Sequence, residues 1–238
     1  MSSIHPTAIV SASAEIADDV EIRPYAVIGA ARIGSGCIVH PHVVIADGVV
    51  LGAKVEVFPG AFIGKEPKGA GATSRQPTFA RSVHVDDNCS VGPNCVIYYD
   101  VVVGPNTLLG DGASIREQCR IGARCIISRY VTINYNARIG NDVKVMDLTH
   151  ITGNMIIEDD AFISTMVGTT NDNVIRQGYG DHVVGPTIGK GAVIGAGSTL
   201  LPAVVIGAGA TVGAGSVVTK FVGDGTTVMG PAARLRTT

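Results

Sequence analysis

The chain has 238 residues, of which 46% are hydrophobic, 16% charged and 5% aromatic, with 31 glycines and no tryptophan. A formal net charge of −2 provides no basic footprint for nucleic acid. The opening MSSIHPTAIV lacks the basic flank and apolar core of a secretory leader, so a cytoplasmic location is expected.

From the N-terminus, an aliphatic residue recurs at every sixth position: Ile4, Val10, Ile16, Ile22 and Ile28. One residue is then missing, and the series resumes from Ile33 to Ile63. Residues 64–84, GKEPKGAGATSRQPTFARSVH, interrupt it. It returns without a slip from Val85 to Ile163, is broken again by 164–187, STMVGTTNDNVIRQGYGDHVVGPT, and restarts at Ile188. A period of six fits neither the 3.6 of a helix nor the 2 of an ordinary strand. It marks an internal repeat. The repeat predicts an all-β fold, a parallel β-helix in which each hexad makes one short strand and three strands make one triangular coil. Residues 18 apart then stack at roughly the 4.8 Å spacing of neighbouring strands. The predicted organisation is a β-helix over 1–220, extruded loops at 64–84 and 164–187, and a C-terminal tail at 221–238.

Each position of the hexad has a physical job. The first points inward, and the fifth is small and also points inward, as with Ala8, Thr107, Ala137 and Ser198. The second to fourth turn the corner, where Gly, Asn and Asp tolerate a positive φ. Cys37, Cys89, Cys95, Cys119 and Cys125 all fall at the fifth position, and no two are 18 apart. They read as small core residues in an intracellular protein, with no disulfide and no metal cluster. The uncharged stretch 191–219 is long enough to span a bilayer, but it keeps the six-residue period and carries seven glycines and Pro202. A membrane helix is therefore not expected.

Several segments resemble known enzymes. IHPTAIVSASAEIADDVEIRPYAVIG and FIGKEPKGAG are similar to the UDP-N-acetylglucosamine O-acyltransferases of lipid A synthesis. RIGNDVKV, IIEDDAFIS, TTND and GPTIGKGAVIGAG follow the order seen in N-acetyltransferases of nucleotide-linked amino sugars, and VVTKFVGDGTTVMGPAARLR resembles an acyl-CoA-type ending. Nearly the whole chain thus resembles the hexapeptide-repeat acyltransferases. The resemblance implies a left-handed winding, an acyl-CoA donor such as acetyl-CoA, a nucleotide-linked amino sugar as acceptor, and a homotrimer with the donor groove between subunits. No metal is required by that chemistry. The sequence departs from the lipid A enzymes where their catalytic His would fall, in INYNAR, and places Tyr135 there. The amino-sugar enzymes often carry Asn near the segment that here reads MDLTHI, which offers Asp147, Leu148 and His150.

Candidate residues follow. His150, at an outward sixth position one hexad before the coil that leads into the second loop, is the candidate base, since imidazole suits proton transfer near neutral pH. Asn134, Tyr135, Asn136, Asn154, Asn171 and Asp172 are candidates for acceptor binding. Asp100, Gln118, Asn136 and Asn154 share one column, which reads either as a corner ladder of amides or as a site for sugar hydroxyls. Asp111, Arg129 and Asp147 share another, which reads as an ion ladder. Arg120 and Arg138 stack as like charges that need either a pyrophosphate or neighbouring carboxylates. Gly195 lies over Gly213, and Ala196 over Ala214, making a smooth strip for a pantetheine arm, with Lys220 and Arg234 for phosphates. A trimer contact would also want that strip. Three alternatives stay open: O-acylation of a sugar, a non-enzymatic trimeric scaffold, and a carbonic-anhydrase-like metalloenzyme, which would need three convergent His ligands.

Overall fold

A computed structural model of the protein describes residues 2–71, 75–172 and 183–232. These residues form three parallel sheets of 12, 11 and 10 short strands, and no helix occurs among them. Successive strands visit sheets A, B and C in turn, and the chain winds as a left-handed parallel β-helix. The 18-residue stacking holds through the centre: Ile97 pairs with Ile115, Ile115 with Ile133, Ile121 with Ile139 and Ile133 with Ile151. The missing residue near the N-terminus appears as Glu15 pairing with Arg32 and Ile16 with Ile33.

The core is a column of first-position aliphatics, fully buried at Ile45, Ile97, Ile115, Ile133, Ile151 and many others. The fifth position does more than fit. Cys37, Cys89, Cys119 and Cys125 donate their thiols to the carbonyls of Gly52, Gly104, Asn134 and Gly140. Thr107 and Thr149 do the same with hydroxyls, to Gly122 and Ser164. Each donor thus satisfies a carbonyl at the corner 15 residues on, which would otherwise be costly to bury. All five cysteines are free and buried, and burial pushes the Cys95 and Cys119 thiols up to about 12.

The corners are stricter than the sequence suggests. Positive φ falls on the fourth position of the hexad, at Asn88, Asn106 and Asp142 but equally at Arg124, Tyr130, Leu148 and Met166. Tyr130, Leu148 and Met166 stack along the edge between sheets A and B, 61%, 58% and 59% exposed. Coil geometry, rather than residue type, imposes the left-handed conformation there.

The rod also extends further than expected. Val222 bridges Ile206, and Thr227–Val228 pairs with Thr211–Val212, so the coil passes residue 220 and runs through Val228. Val222 takes the inward place two residues early, which breaks the six-residue count. The second loop is shorter than the break in the repeat, because Gly168–Thr169 still pairs with His150 and with Thr199–Leu200. Both loops leave from sheet B and return to sheet C. The first runs from the strand Phe62–Lys65 to Val83–Val85, and the second from Gly168–Thr169 to Thr187–Ile188. Among the described residues no helix is long and apolar enough to cross a membrane.

Two substitutions test this account by chemical denaturation. Ile133→Ala should lower the unfolding free energy by about 2–5 kcal/mol, as a large core truncation does. Leu148→Asn should raise it by about 1 kcal/mol, because Asn tolerates the left-handed conformation that costs other residues energy.

Candidate active-site cleft

Because both loops emerge at the same corner, they face each other across the rungs between them. Four sheet B strands separate the two exits, a distance of about 24 Å at the usual strand spacing. The loops and these corner turns enclose a cleft of about 1090 Å³. Lys68, Arg75 and Thr78 come from the first loop, and Thr170, Asn171, Asp172 and Val183 from the second. The floor is Tyr98, Arg116, Gln118, Asn134, Tyr135, His150, Thr152 and Asn154.

The first loop is fastened by a buried carboxylate. Glu117 is 0% exposed, and Arg75 donates to it from Nη1 at 2.7 Å. Arg116 donates to both its oxygens at 3.1 Å. The Arg75 guanidinium also sits 3.8 Å over the Tyr135 ring, a cation–π contact, and donates to Gln118 at 3.3 Å. The opposite face of that ring lies on Gly153, where a Cβ would come within 2.7 Å of Tyr135 Cζ. Gln118 donates to Thr78, and Ala80 N–H to Asp100, completing the attachment.

The second loop is held by amides. Asn136 donates to Asn154 at 2.8 Å, Asn154 to the carbonyl of Val183 at 2.7 Å, and Asn171 to the carbonyl of Gly153 at 3.1 Å. The column from Asp100 to Asn154 therefore works as a corner ladder that ties both loops down. Of the six residues expected to bind acceptor, Asn134, Tyr135, Asn154, Asn171 and Asp172 line the cleft, whereas Asn136 does not. Asp147 accepts from the Ser128 hydroxyl and from the Arg129 backbone at 3.1 Å, and sits 3.7 Å from the Arg129 guanidinium. Arg120 pairs with Asp100 at 2.7 Å, so a carboxylate answers at least one of the stacked arginines.

His150 projects from the outer face of sheet B into the cleft. Its Nδ1 is 2.7 Å from Thr132 Oγ1, one rung away, and nothing among the described residues bonds Nε2. Burial lowers its pKa below the ordinary histidine value, which favours the neutral ring. On the other flank stands Gly168, where a Cβ would meet nothing within 4 Å. Its φ does not call for glycine, so the effect of this residue is open space beside the ring.

The expected donor strip lies on the A–B edge. Gly195 is packed so closely that a Cβ would fall 2.4 Å from Ala214 N. On the C–A edge the third-position amides of Ala123, Asn141 and Ala208 are capped by a side chain one coil on, whereas on the A–B edge those of Asp111, Asp147 and Thr165 show no cap among the described residues. Ala196 and Ala214 have no such cap, and their amides find no partner among the described residues. Lys220 is exposed at that end of the rod, and Arg234 lies outside the described residues. Among the described residues no three His, Cys, Asp or Glu side chains converge.

The bacterial transferase hexapeptide (six repeats) family matches residues 100–135 and 185–220. No curated protein matches the sequence significantly. Among solved structures, the UDP-N-acetylglucosamine O-acyltransferase of Moraxella catarrhalis RH4 is 22% identical, over 75% of this chain and 79% of its own, with a TM-score of 0.55. The Arabidopsis UDP-N-acetylglucosamine acyltransferase is 21% identical over 98% and 73%, with a TM-score of 0.60. The Bacteroides fragilis 9343 UDP-N-acetylglucosamine acyltransferase is 20% identical over 92% and 68%, with a TM-score of 0.50. At these identities the likeness is one of fold.

The Glu117 clamp yields a prediction. Glu117→Ala removes the carboxylate shared by Arg75 and Arg116 and should cost about 1.5–3 kcal/mol, as loss of hydrogen bonds to a charged group does. Limited proteolysis should then cut within 66–82 faster than in the parent protein.

Proposed function

We propose that the protein is an acyl-CoA-dependent transferase that N-acylates a nucleotide-linked amino sugar. The observation that carries this reading is the corner cleft, where a neutral imidazole with a free Nε2 shares one cavity with three cationic side chains and several amides. Among the described residues, Lys68, Arg75 and Arg116 stand against the carboxylates of Glu117 and Asp172, a small positive excess that suits a pyrophosphate. Asn134, Thr152, Asn171 and Asp172 supply the mixed donors and acceptors a sugar needs.

The outer face of sheet B lies between the cleft and the A–B edge, and His150 stands on it. Ala196 and Ala214, two and three rungs further along that edge, would hold the pantetheine arm through their amides, with Lys220 nearer the phosphates. The donor supplies an electrophilic thioester carbonyl and a thiolate leaving group. His150 Nε2 takes the proton from the acceptor nitrogen as the new C–N bond forms, and returns it to the departing sulfur as the C–S bond breaks. The reading includes a cytoplasmic homotrimer with the donor groove between subunits.

O-acylation of the same class of acceptor is the second reading. The free Nε2 favours it, since a hydroxyl needs a base more than a neutral amine does. Incubating the protein with acetyl-CoA and a panel of nucleotide amino sugars and their hydroxyl counterparts should give a product one acetyl group heavier. Resistance of that product to alkaline hydroxylamine marks an amide, and cleavage marks an ester. No acetylated product with any member of the panel would remove the proposal.

His150→Ala should lower turnover by about 10²–10⁴-fold, with CoA binding by calorimetry little changed. Because the His150 pKa is depressed, kcat/KM should hold down to the ordinary histidine range and fall only at more acid pH. That acid limb should vanish in the alanine variant. Gly168→Ala should keep stability within about 0.5 kcal/mol, since the added methyl meets nothing, yet reduce turnover by filling the space beside His150.

A further inference from the structure

The sheet column through His150 contains three outward residues in register: Thr132, His150 and Gly168. The two neighbours treat the ring differently. Gly168 offers it no contact, whereas the Thr132 hydroxyl lies 2.7 Å from Nδ1. Among the described residues that hydroxyl is the one polar group that touches the ring. Thr132 is β-branched and sits in a strand, so its χ1 is stiff and the hydroxyl direction is set by the backbone. The His150 backbone is fixed as well, because its carbonyl accepts from Thr169 Oγ1 at 2.8 Å.

We propose that Thr132 is the positioning residue for His150: its hydroxyl accepts the Nδ1–H and holds the neutral ring as the tautomer whose lone pair is on Nε2. This rests on the reading of His150 as the base. Thr132 is exposed, so water takes its own hydroxyl proton and no donor is stranded when it accepts from the ring. The orienting group is neutral, unlike the carboxylate of a Ser-His-Asp triad. A carboxylate would favour the imidazolium and raise the pKa. A hydroxyl orients the ring without stabilising its charge, in keeping with the depressed value. The chain thus keeps the base free at neutral pH and fixes its direction, using two residues one coil apart.

The test compares the parent protein with Thr132→Val and Thr132→Ser. Valine keeps the shape and strand preference but has no hydroxyl, and serine restores the hydroxyl. Nitrogen-15 NMR of the labelled protein at pH 8, where the ring is neutral, reads the tautomer directly. The parent should show a protonated Nδ1 and a bare Nε2. Thr132→Val should move the ring toward the Nε2–H form that free histidine favours, and lower kcat about tenfold or more with KM for the acyl donor unchanged. Thr132→Ser should recover both. A protonated Nε2 in the parent, or a tautomer that valine leaves unchanged, overturns the proposal. A tautomer shift without loss of turnover keeps Thr132 as the orienting residue and removes His150 from the base role.

Discussion

Everything in this molecule depends on the backbone ladder that ties each residue to the one 18 positions on. The inward aliphatic side chains set its register. A slip of one residue would turn the whole hydrophobic set outward, and burial of Ile97, Ile115, Ile133 and Ile151 in one line makes that costly. The polar fifth position supports the same register. A thiol or hydroxyl at Cys119 or Thr149 reaches a corner carbonyl only when the next coil is in phase. Small aliphatics and thiols can thus hold a long rod with few aromatic side chains.

The two loops acquire meaning from the ladder. A loop that leaves sheet B and returns to sheet C can be inserted without disturbing pairing, as Val49 with Val83 and Ile156 with Thr187 demonstrate. Both insertions use the same corner, which turns a convex edge into a walled cleft. The walls are anchored by different chemistry. The first loop depends on a buried carboxylate shared by two arginines and on a ring laid flat on glycine. The second depends on amides that donate to backbone carbonyls. Loosening one wall therefore need not loosen the other.

Much of this was legible in the sequence, because a strict period converts position into geometry. The coil, the inward cysteines, the stacking of Arg120 on Arg138 and the clustering of Asn134, Tyr135, Asn154 and His150 all follow from counting sixes and eighteens. Other features escaped for physical reasons. Arg75 lies in a loop with no period, so nothing local links it to Glu117. Val222 takes its inward place early, which hides the last rungs from a count by six. The apolar residues at positive φ, Tyr130, Leu148 and Met166, contradict turn preferences, since coil closure overrides local propensity. Glu117 could have been found by the rule already in use. Its column reads Tyr99, Glu117, Tyr135, Gly153, a carboxylate between two aromatic rings with an arginine beside it in sequence.

The same rule that builds the rod also arranges its chemistry. The side chains that line a cleft usually come from separate elements, and each element adds its own positional error. Here Thr132, His150 and Gly168 are one column of one sheet, and Glu117, Tyr135 and Gly153 one column of the adjoining corner. Their separations are set by the strand spacing, which the core enforces over the whole length of the rod. Each column ends a functional run with glycine, once to leave space and once to admit a ring. Neither glycine is required by its backbone angle. Side-chain volume, row by row, is therefore the variable by which this scaffold shapes a cleft, while the ladder keeps the positions fixed.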